Sequence, residues 1–505
     1  MYPKSYPPEL STDEEEHLIA ELEDWSIAHG LAVRAAVPTR LSRSSSLATT
    51  APVTLYPSLF PRVCFEQAQS VMSAYNELYA AIACSHMWLG ETLGKLFDID
   101  DFVANLWDIH VRLSLTSHKA LQLGLFRSDY MVHVDPSQAQ PSVKQVEFNT
   151  IASSFGGLST KVSCLHAHLR DSGAYPERVQ TSLIDSSMPL SESVTGLARG
   201  LFQAHEAYGP STCGLPTCVI FITQDEERNV FDQRHLEYAL NDTHGVQTFR
   251  LPFSRIFTET NLNADRRLVY TPTHSRTKQY EVTLVYFRAG YAPSEYTTQE
   301  DWDARRHLER SAAIKCPSVL SQLAGTKKVQ QVLAAPQSPH LARFLPDAKR
   351  AAMVQKTFAP IYPMDNTSPA GRQARALAID PAVASRYVLK PQREGGGNNV
   401  YRAAIPDFMK TLPESHWPAW ILMEMIEPPA QENYLLRDGE LRRGGVICEL
   451  GVFGACLWRR EGSESCHVLE NFNAGYLLRT KGDSSEEGGV AAGFGAIDSV
   501  HLVDV

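Results

Sequence analysis

No stretch of the 505 residues stays apolar for the ~20 residues that a membrane-spanning helix needs. Nor do the nine cysteines (Cys64, Cys84, Cys164, Cys213, Cys218, Cys316, Cys448, Cys456 and Cys466) form a paired zinc motif. Scattered and odd in number, they read as buried or free thiols of a reducing compartment. A basic excess is missing too: 47 Lys and Arg face 57 Asp and Glu, a net charge of −10. Neither nucleic acid nor an anionic membrane is therefore expected as the main partner, while a local basic cleft for a nucleotide stays compatible with the balance. Met1-Tyr2-Pro3-Lys4-Ser5 lacks an apolar signal core, so a cytoplasmic location is expected. The Walker phosphate loop is absent, since Gly325-Thr326-Lys327-Lys328 lacks the first glycine of that pattern. No internal repeat occurs.

What remains is a chain with 43% hydrophobic residues, enough for about three domain-sized units. Ser11 and Glu14 resemble a capping box ahead of an apolar stripe, Leu18, Leu22 and Trp25, that runs to Gly30. The Ser- and Thr-rich segment 39–50 reads as a flexible insertion. Helical patterns cover 64–88 and 100–123, followed by extended pieces at 130–134 and 144–149 around a turn near Pro136. From 217 the rhythm becomes strand (217–223), helix (229–240) and strands (246–251 and 282–287), an α/β unit with a parallel sheet. Helices are expected at 300–313 and 326–333, and residues 336–381 read as a loosely patterned connection. Strands at 386–390, 420–425, 445–451 and 455–459 complete the chain.

Three motifs carry chemistry. Lys390-Pro391-Gln392-Arg393-Glu394-Gly395-Gly396-Gly397-Asn398-Asn399 follows a strand directly. Consecutive glycines let backbone N–H groups approach an anion, the lysine adds positive charge, and Glu394 can hold a metal; the alternative is a flexible hairpin tip. A second small-residue loop, Gly488 to Gly495, follows the basic Leu478-Arg479-Thr480-Lys481 and is either a second ligand flap or a packing turn. In Glu147-Phe148-Asn149, residues i and i+2 of a strand share a face, so a carboxylate and an amide oxygen converge. With Glu394 they form an all-oxygen set suited to Mg²⁺. Ser153-Ser154-Phe155-Gly156-Gly157 leads into a helix whose amino terminus would attract an anion. Arg127, Arg288 and Arg479 offer the forks that a substrate with several carboxylates needs. His166 and His168 sit on a helix, face apart and read as structural.

These pieces, in this order, resemble eukaryotic glutathione synthetases over nearly the whole chain. The likeness is most specific at 146–158, 227–234, 285–291, 309–331, 387–399, 421–428 and 477–493. It implies an ATP-grasp fold of α+β and α/β parts, divided as 1–210 (body), 211–320 (inserted substrate-binding α/β domain) and 321–505 (ATP-binding part with glycine- and alanine-rich loops). It also implies a homodimer. By resemblance, Glu147, Asn149 and Glu394 match magnesium ligands. Lys327, Lys390, Gly395, Gly396, Gly397, Asn398, Asn399, Tyr401, Met423, Glu424, Met425, Ile426, Glu449, Lys481 and Glu487 match the nucleotide site. Arg127, Ser154, Glu227, Arg228, Asn229, Gln233, Arg288, Tyr291, Arg479, Val490 and Ala491 match residues that touch the thiol peptide. Phe126, Ala289 and Gly482 depart from the family pattern and are expected to bear on the shape of the peptide pocket.

The reaction so implied is Mg-ATP-dependent ligation of γ-glutamylcysteine to glycine, with Arg127, Lys390 and Arg479 in catalytic positions. A carboxylate is a poor electrophile and its oxygen a poor leaving group; phosphorylation to an acyl phosphate removes both obstacles. Two other readings stand beside this one. A related ligase would take another amine, such as β-alanine or serine, and a non-catalytic protein would merely bind thiol peptide or nucleotide.

Overall fold

The computed structural model describes every residue except 1, 4, 36–46, 114–120, 136, 139, 337, 463, 484 and 486–494. The first helix spans Thr12–His29, and Ser11 and Glu14 close the expected capping box. Gly30 ends it in the left-handed region, while Leu18 and Leu22 are buried. The pattern over 64–88 resolves into two helices, Arg62–Cys84 and His86–Leu93, which part at Ser85.

The centre of the molecule is a 13-stranded sheet. Its backbone is the strand Leu121–His133, paired antiparallel with Ser142–Asn149 on one edge and with the long strand Glu440–Glu461 on the other. The α/β unit joins this sheet. Thr248–Pro252, Thr217–Thr223, Tyr280–Phe287 and Ile314–Cys316 run parallel in that spatial order, and the last pairs with Leu121–His133 at Lys315 and Gln122. Glu440–Glu461 turns into Ser465–Gly482, forming a hairpin of 22- and 18-residue strands.

Side-chain alternation along these strands sorts the interior into two cores. Phe126, Tyr130, Phe148, Leu450 and Trp458 face the helix Arg62–Cys84 and its neighbours. Leu123, Leu125, Phe453, Leu457 and Leu477 face the helices Gly156–Asp171 and Ser193–Tyr208. A four-stranded antiparallel sheet, ordered Ile361–Pro363, Trp420–Glu424, Tyr387–Pro391 and Val400–Tyr401, stands apart with its own core around Leu389, Met409 and Leu422.

Several sequence expectations need correction. The helix expected over 100–123 covers Asp101–Leu113, and residues 121–123 already belong to the strand Leu121–His133, well before the extended piece expected at 130. That strand is buried on both faces and so shows no alternation to read. The strands expected at 445–451 and 455–459 are one strand. Gly451 and Gly454 mark close approaches rather than turns: a Cβ at Gly454 would lie 2.3 Å from the Asn76 amide oxygen. The connection expected over 336–381 holds the helices Pro339–Phe344, Ala348–Thr357 and Pro369–Ile379 and the strand Ile361–Pro363. Its Ser, Asp and Pro residues serve as helix starts: Ser338, Asp347 and Ser368 accept from first-turn amides. Of the insertion expected at 39–50, Ala48–Thr50 pairs with Ala32–Arg34 as a short sheet, and 39–46 lies outside the described residues. His166 and His168 lie on Gly156–Asp171, His166 hydrogen-bonded to Ser499 and to the Thr54 carbonyl.

Candidate active site

Odd-numbered residues of four neighbouring strands project from one face of the large sheet. Arg127 and Asp129 come from Leu121–His133, Glu147 and Asn149 from Ser142–Asn149, and Glu449 and Arg479 from the hairpin. Register places Asp129 beside Glu147 and Gly451, and Glu449 beside Arg479. Arg127 donates from Nε (2.6 Å) and Nη2 (2.7 Å) to the two oxygens of Asp129, the bidentate fork that guanidinium and carboxylate geometry favour. Arg479 reaches Asp129 at 3.0 Å and also contacts Glu449. The Asn149 amide donates to Asp129 at 2.9 Å, which leaves its carbonyl oxygen on the other side. Gly451 makes room for the pair: a Cβ there would stand 2.8 Å from both Arg127 Cδ and Asp129 Oδ1.

The opposing wall comes from the smaller sheet and from a helix start. Lys390 closes the strand Tyr387–Pro391 and donates to the Val146 carbonyl at 2.9 Å. Lys327, the first residue of the helix Lys327–Ala334, sets its ammonium 2.9 Å from Glu147 and 3.8 Å from Glu394. Burial alone would raise the pKa of Glu147, but Lys327 and Lys390 hold its carboxyl below the usual range. Burial pushes Glu394 up, with Glu147 adding to the rise against the pull of Lys327. Burial also pushes Lys390 down to about 8, against the opposing pull of Glu147. Burial would lower the Lys327 ammonium, yet Glu147 and Glu394 raise it above its ordinary value.

At the far end the chain from Thr150 to Phe155 is clamped by two arginines. Arg127 Nη1 donates to the Ser154 carbonyl (3.0 Å), and Arg288 donates to the Ser153 carbonyl (2.8 Å) and Ser154 Oγ (2.7 Å). Ala152 (φ 50°) and Phe155 (φ 72°) hold left-handed backbone there, a strain typical of functional loops. Glu227 accepts from the Asn229 amide (2.9 Å) and from Gln233 (2.6 Å), and Gln224 donates to the Tyr291 hydroxyl (3.1 Å). The anion expected at the amino terminus of Gly156–Asp171 is internal. Asp232 accepts from the amides of Phe155, Gly157 and Leu158, so that helix end is already satisfied.

Apart from Lys327, Asp129, Gly451 and Asp232, which are not among its lining residues, these side chains line one cavity of about 1760 Å³. Ser154, Arg228, Gly395, Gly396, Asn399, Tyr401, Met423, Glu424, Met425, Ile426 and Lys481 also lie in its wall. Gly397 and Asn398 lie outside the lining residues; Asn398 Nδ2 donates to the Gly395 carbonyl (3.1 Å) and so shapes the loop from within. Gly395 and Gly397 hold positive φ (83° and 88°), the conformation for which glycine is needed. Glu487, Val490 and Ala491 lie outside the described residues, as does most of the second small-residue loop. Phe126 and Ala289 are fully buried in the apolar core away from the cavity wall, so these departures do not shape the pocket directly. Asp129, Gln224 and Asp232 escaped the sequence reading. Asp129 stands two residues from Arg127, a same-face spacing that would have flagged it.

The family model for eukaryotic glutathione synthase, ATP binding domain, matches residues 12–502. The chain belongs to this family. It is similar to the glutathione synthetase large chain of Schizosaccharomyces pombe, 38% identical over 95% of this chain and 96% of that one. It is also similar to the glutathione synthetase of Homo sapiens, 40% identical over 97% of each. In fold it matches the apo structure of a glutathione synthetase-like effector from Globodera pallida, with TM-score 0.72, 22% identity and 98% of each chain covered.

Proposed function

We propose that this chain is a glutathione synthetase: it joins the cysteinyl carboxylate of γ-glutamylcysteine to the amine of glycine, driven by ATP and passing through an acyl phosphate. The observation that carries the reading is the convergence, in one cavity, of Lys390, Arg127, Arg288 and Arg479 with Glu147, Glu394 and Asn149, both glutamates being paired in turn to Lys327. A nucleotide and a carboxylate-rich peptide both need that density of cations, and a reaction between them needs both in the same space.

In this reading the adenine end lies against Met423–Ile426 and Tyr401, and the lysines hold the phosphates. Arg288, Ser154, Glu227, Arg228, Asn229, Gln233 and Tyr291 orient the peptide. Asp129 and Ser154 take three of the five donors of Arg127, and the remaining ones face the ligand and stabilise charge developing on the attacked carboxylate. The glycine-rich loop at 395–397 excludes water from the acyl phosphate.

The donor set fits Mg²⁺. Two carboxylates and an amide oxygen are hard ligands, and Glu147 and Glu394 already converge on one cation, the Lys327 ammonium. Bound there, the ion supplies Lewis acidity and neutralises phosphate charge. The parts then divide as 1–210 and 321–505 for the nucleotide body and 211–320 for peptide binding, in a homodimer working in the cytoplasm. Among the described residues no helix is long and apolar enough to cross a membrane.

The test is phosphate release from Mg-ATP with γ-glutamylcysteine, with and without glycine. Release that requires all three, with one glutathione per phosphate, supports the reading. Release only with β-alanine or serine would replace the acceptor, and bound ATP without release for any amine would overturn the ligase.

A further inference from the structure

Asp129 is fully buried, carries no assigned role in the reaction proposed above, and is the point on which three site residues converge. Its two oxygens accept from Arg127 Nε and Nη2 (2.6 and 2.7 Å), from Arg479 Nη2 (3.0 Å) and from Asn149 Nδ2 (2.9 Å). Each bond fixes something different. The fork to Arg127 sets the plane of a guanidinium that also holds the Ser154 carbonyl. The bond to Arg479 fixes the second arginine, which Glu449 holds from the other side. The bond from Asn149, with a second from the same Nδ2 to the Arg127 carbonyl (3.2 Å), decides which end of that amide is free. Because Nδ2 is committed to a carboxylate, the carbonyl oxygen is the end left for a cation.

We infer that Asp129 is a positioning residue that sets Arg127 and Arg479 for the peptide carboxylate and, in the same contact, turns the Asn149 oxygen toward the metal. The inference rests on the ligase reading and adds a coupling to it: one side chain ties peptide recognition to metal recognition. Chemistry explains why a carboxylate is needed. It has four lone-pair directions and no N–H, so it can accept from two guanidiniums and an amide at once. An asparagine of the same shape would turn N–H toward N–H on one side, and the Asn149 amide would keep only the Arg127 carbonyl (3.2 Å) to hold its orientation. The fold protects the arrangement, since Gly451 is the residue on the adjacent strand against the pair, where any side chain would intrude.

The experiment compares wild type, Asp129→Asn and Asp129→Glu for KM of the dipeptide, KM of ATP, kcat and the Mg²⁺ concentration giving half-maximal rate. ATP affinity, measured by calorimetry, reports whether each variant is folded. For Asp129→Asn we expect at least a tenfold rise in dipeptide KM and a severalfold rise in half-saturating Mg²⁺. ATP affinity should stay within threefold of wild type. Asp129→Glu keeps the charge and should recover part of both losses. A purely structural role would move stability and leave the dipeptide and Mg²⁺ parameters together near wild type. Folded Asp129→Asn with both parameters unchanged would overturn the inference, as would a change in one without the other. Should Asp129→Asn not fold, Asp129→Glu is judged by the same two parameters, a shift in both supporting the inference and wild-type values of either overturning it. A wild type that binds ATP but makes no product would overturn the ligase reading itself, a result distinct from an unaltered variant beside an active wild type.

Discussion

Lys327 sets its ammonium 2.9 Å from the carboxylate of Glu147, joining the start of a helix to the large sheet. Glu394, from the glycine-rich loop after the smaller sheet, stands 3.8 Å from the same nitrogen. Without that cation two carboxylates would share one poorly solvated space. Lys327→Met should therefore lower kcat about 100-fold or more, the scale of losing one preorganised donor. Its melting temperature in metal-free buffer should also fall, since breaking a buried pair costs up to about 3–5 kcal/mol. Millimolar Mg²⁺ should raise the melting temperature of the variant more than that of wild type. Turnover within twofold of wild type would remove Lys327 from the reaction.

Lys390 predicts a pH dependence. Burial holds its ammonium down to about 8, below the ordinary 10.5. A lysine depressed in the folded state opposes folding while charged, and that penalty is relieved as pH rises from about 8 toward the unfolded value. Activity runs the other way, because the charged form is the one that meets phosphate. Thus kcat/KM for ATP should fall as pH rises through about 8, while kcat, reporting the complex in which phosphate favours the ammonium, should hold to higher pH. In Lys390→Arg the guanidinium stays protonated and the alkaline limb should vanish. An unchanged limb in that variant would assign it to another group. A profile from pH 6.5 to 9.5 settles the matter.

Much of this was legible where the signal is local. The Ser11–Glu14 capping box, the strand Thr217–Thr223 and the run from Lys390 to Asn399 each declare themselves within ten residues. Glu147 and Asn149 were legible because alternate residues of a strand share a face. What stayed hidden depends on partners far away in the chain. Asp232 caps a helix start 75 residues earlier, and Asp129 meets Arg479 across 350 residues. Gly451 looks like a turn until the Arg127–Asp129 pair beneath it is known. The helices within 336–381 were hidden for another reason: their caps are Ser, Asp and Pro, the residues that also mark loops.

Asp232 yields a stability prediction. It is buried and accepts from the amides of Phe155 (2.7 Å), Gly157 (2.7 Å) and Leu158 (3.2 Å). Asp232→Ala leaves those donors without their acceptor and removes a charge that favours a helix amino terminus. We expect a loss of about 2 kcal/mol, the upper range for a cap, measured by urea unfolding with unchanged m-value. Dipeptide KM should rise as well, because Ser154 precedes the capped turn and Asn229 donates to Asp232 (3.1 Å). ATP affinity should not change. A variant as stable as wild type would mean that water replaces the cap.

Arg127 requires two substitutions to be read. Arg127→Ala should abolish most turnover, but it also strips the buried Asp129 of its fork and leaves only Arg479 and Asn149 beside it. Lost stability would then mix with lost chemistry. Arg127→Lys keeps the positive charge near Asp129 while replacing five fixed donors by three on a flexible stem. If the fixed donors of Arg127 that Asp129 and Ser154 leave over are what meets the reacting carboxylate, this variant should melt within a few degrees of wild type. Its dipeptide KM should nonetheless rise at least tenfold and its kcat fall about 100-fold. If it instead turns over at the wild-type rate, charge alone suffices at position 127. The directed donors at the reacting carboxylate would then belong to Arg479, the other arginine held by Asp129, and Arg479→Lys should show the loss that Arg127→Lys did not.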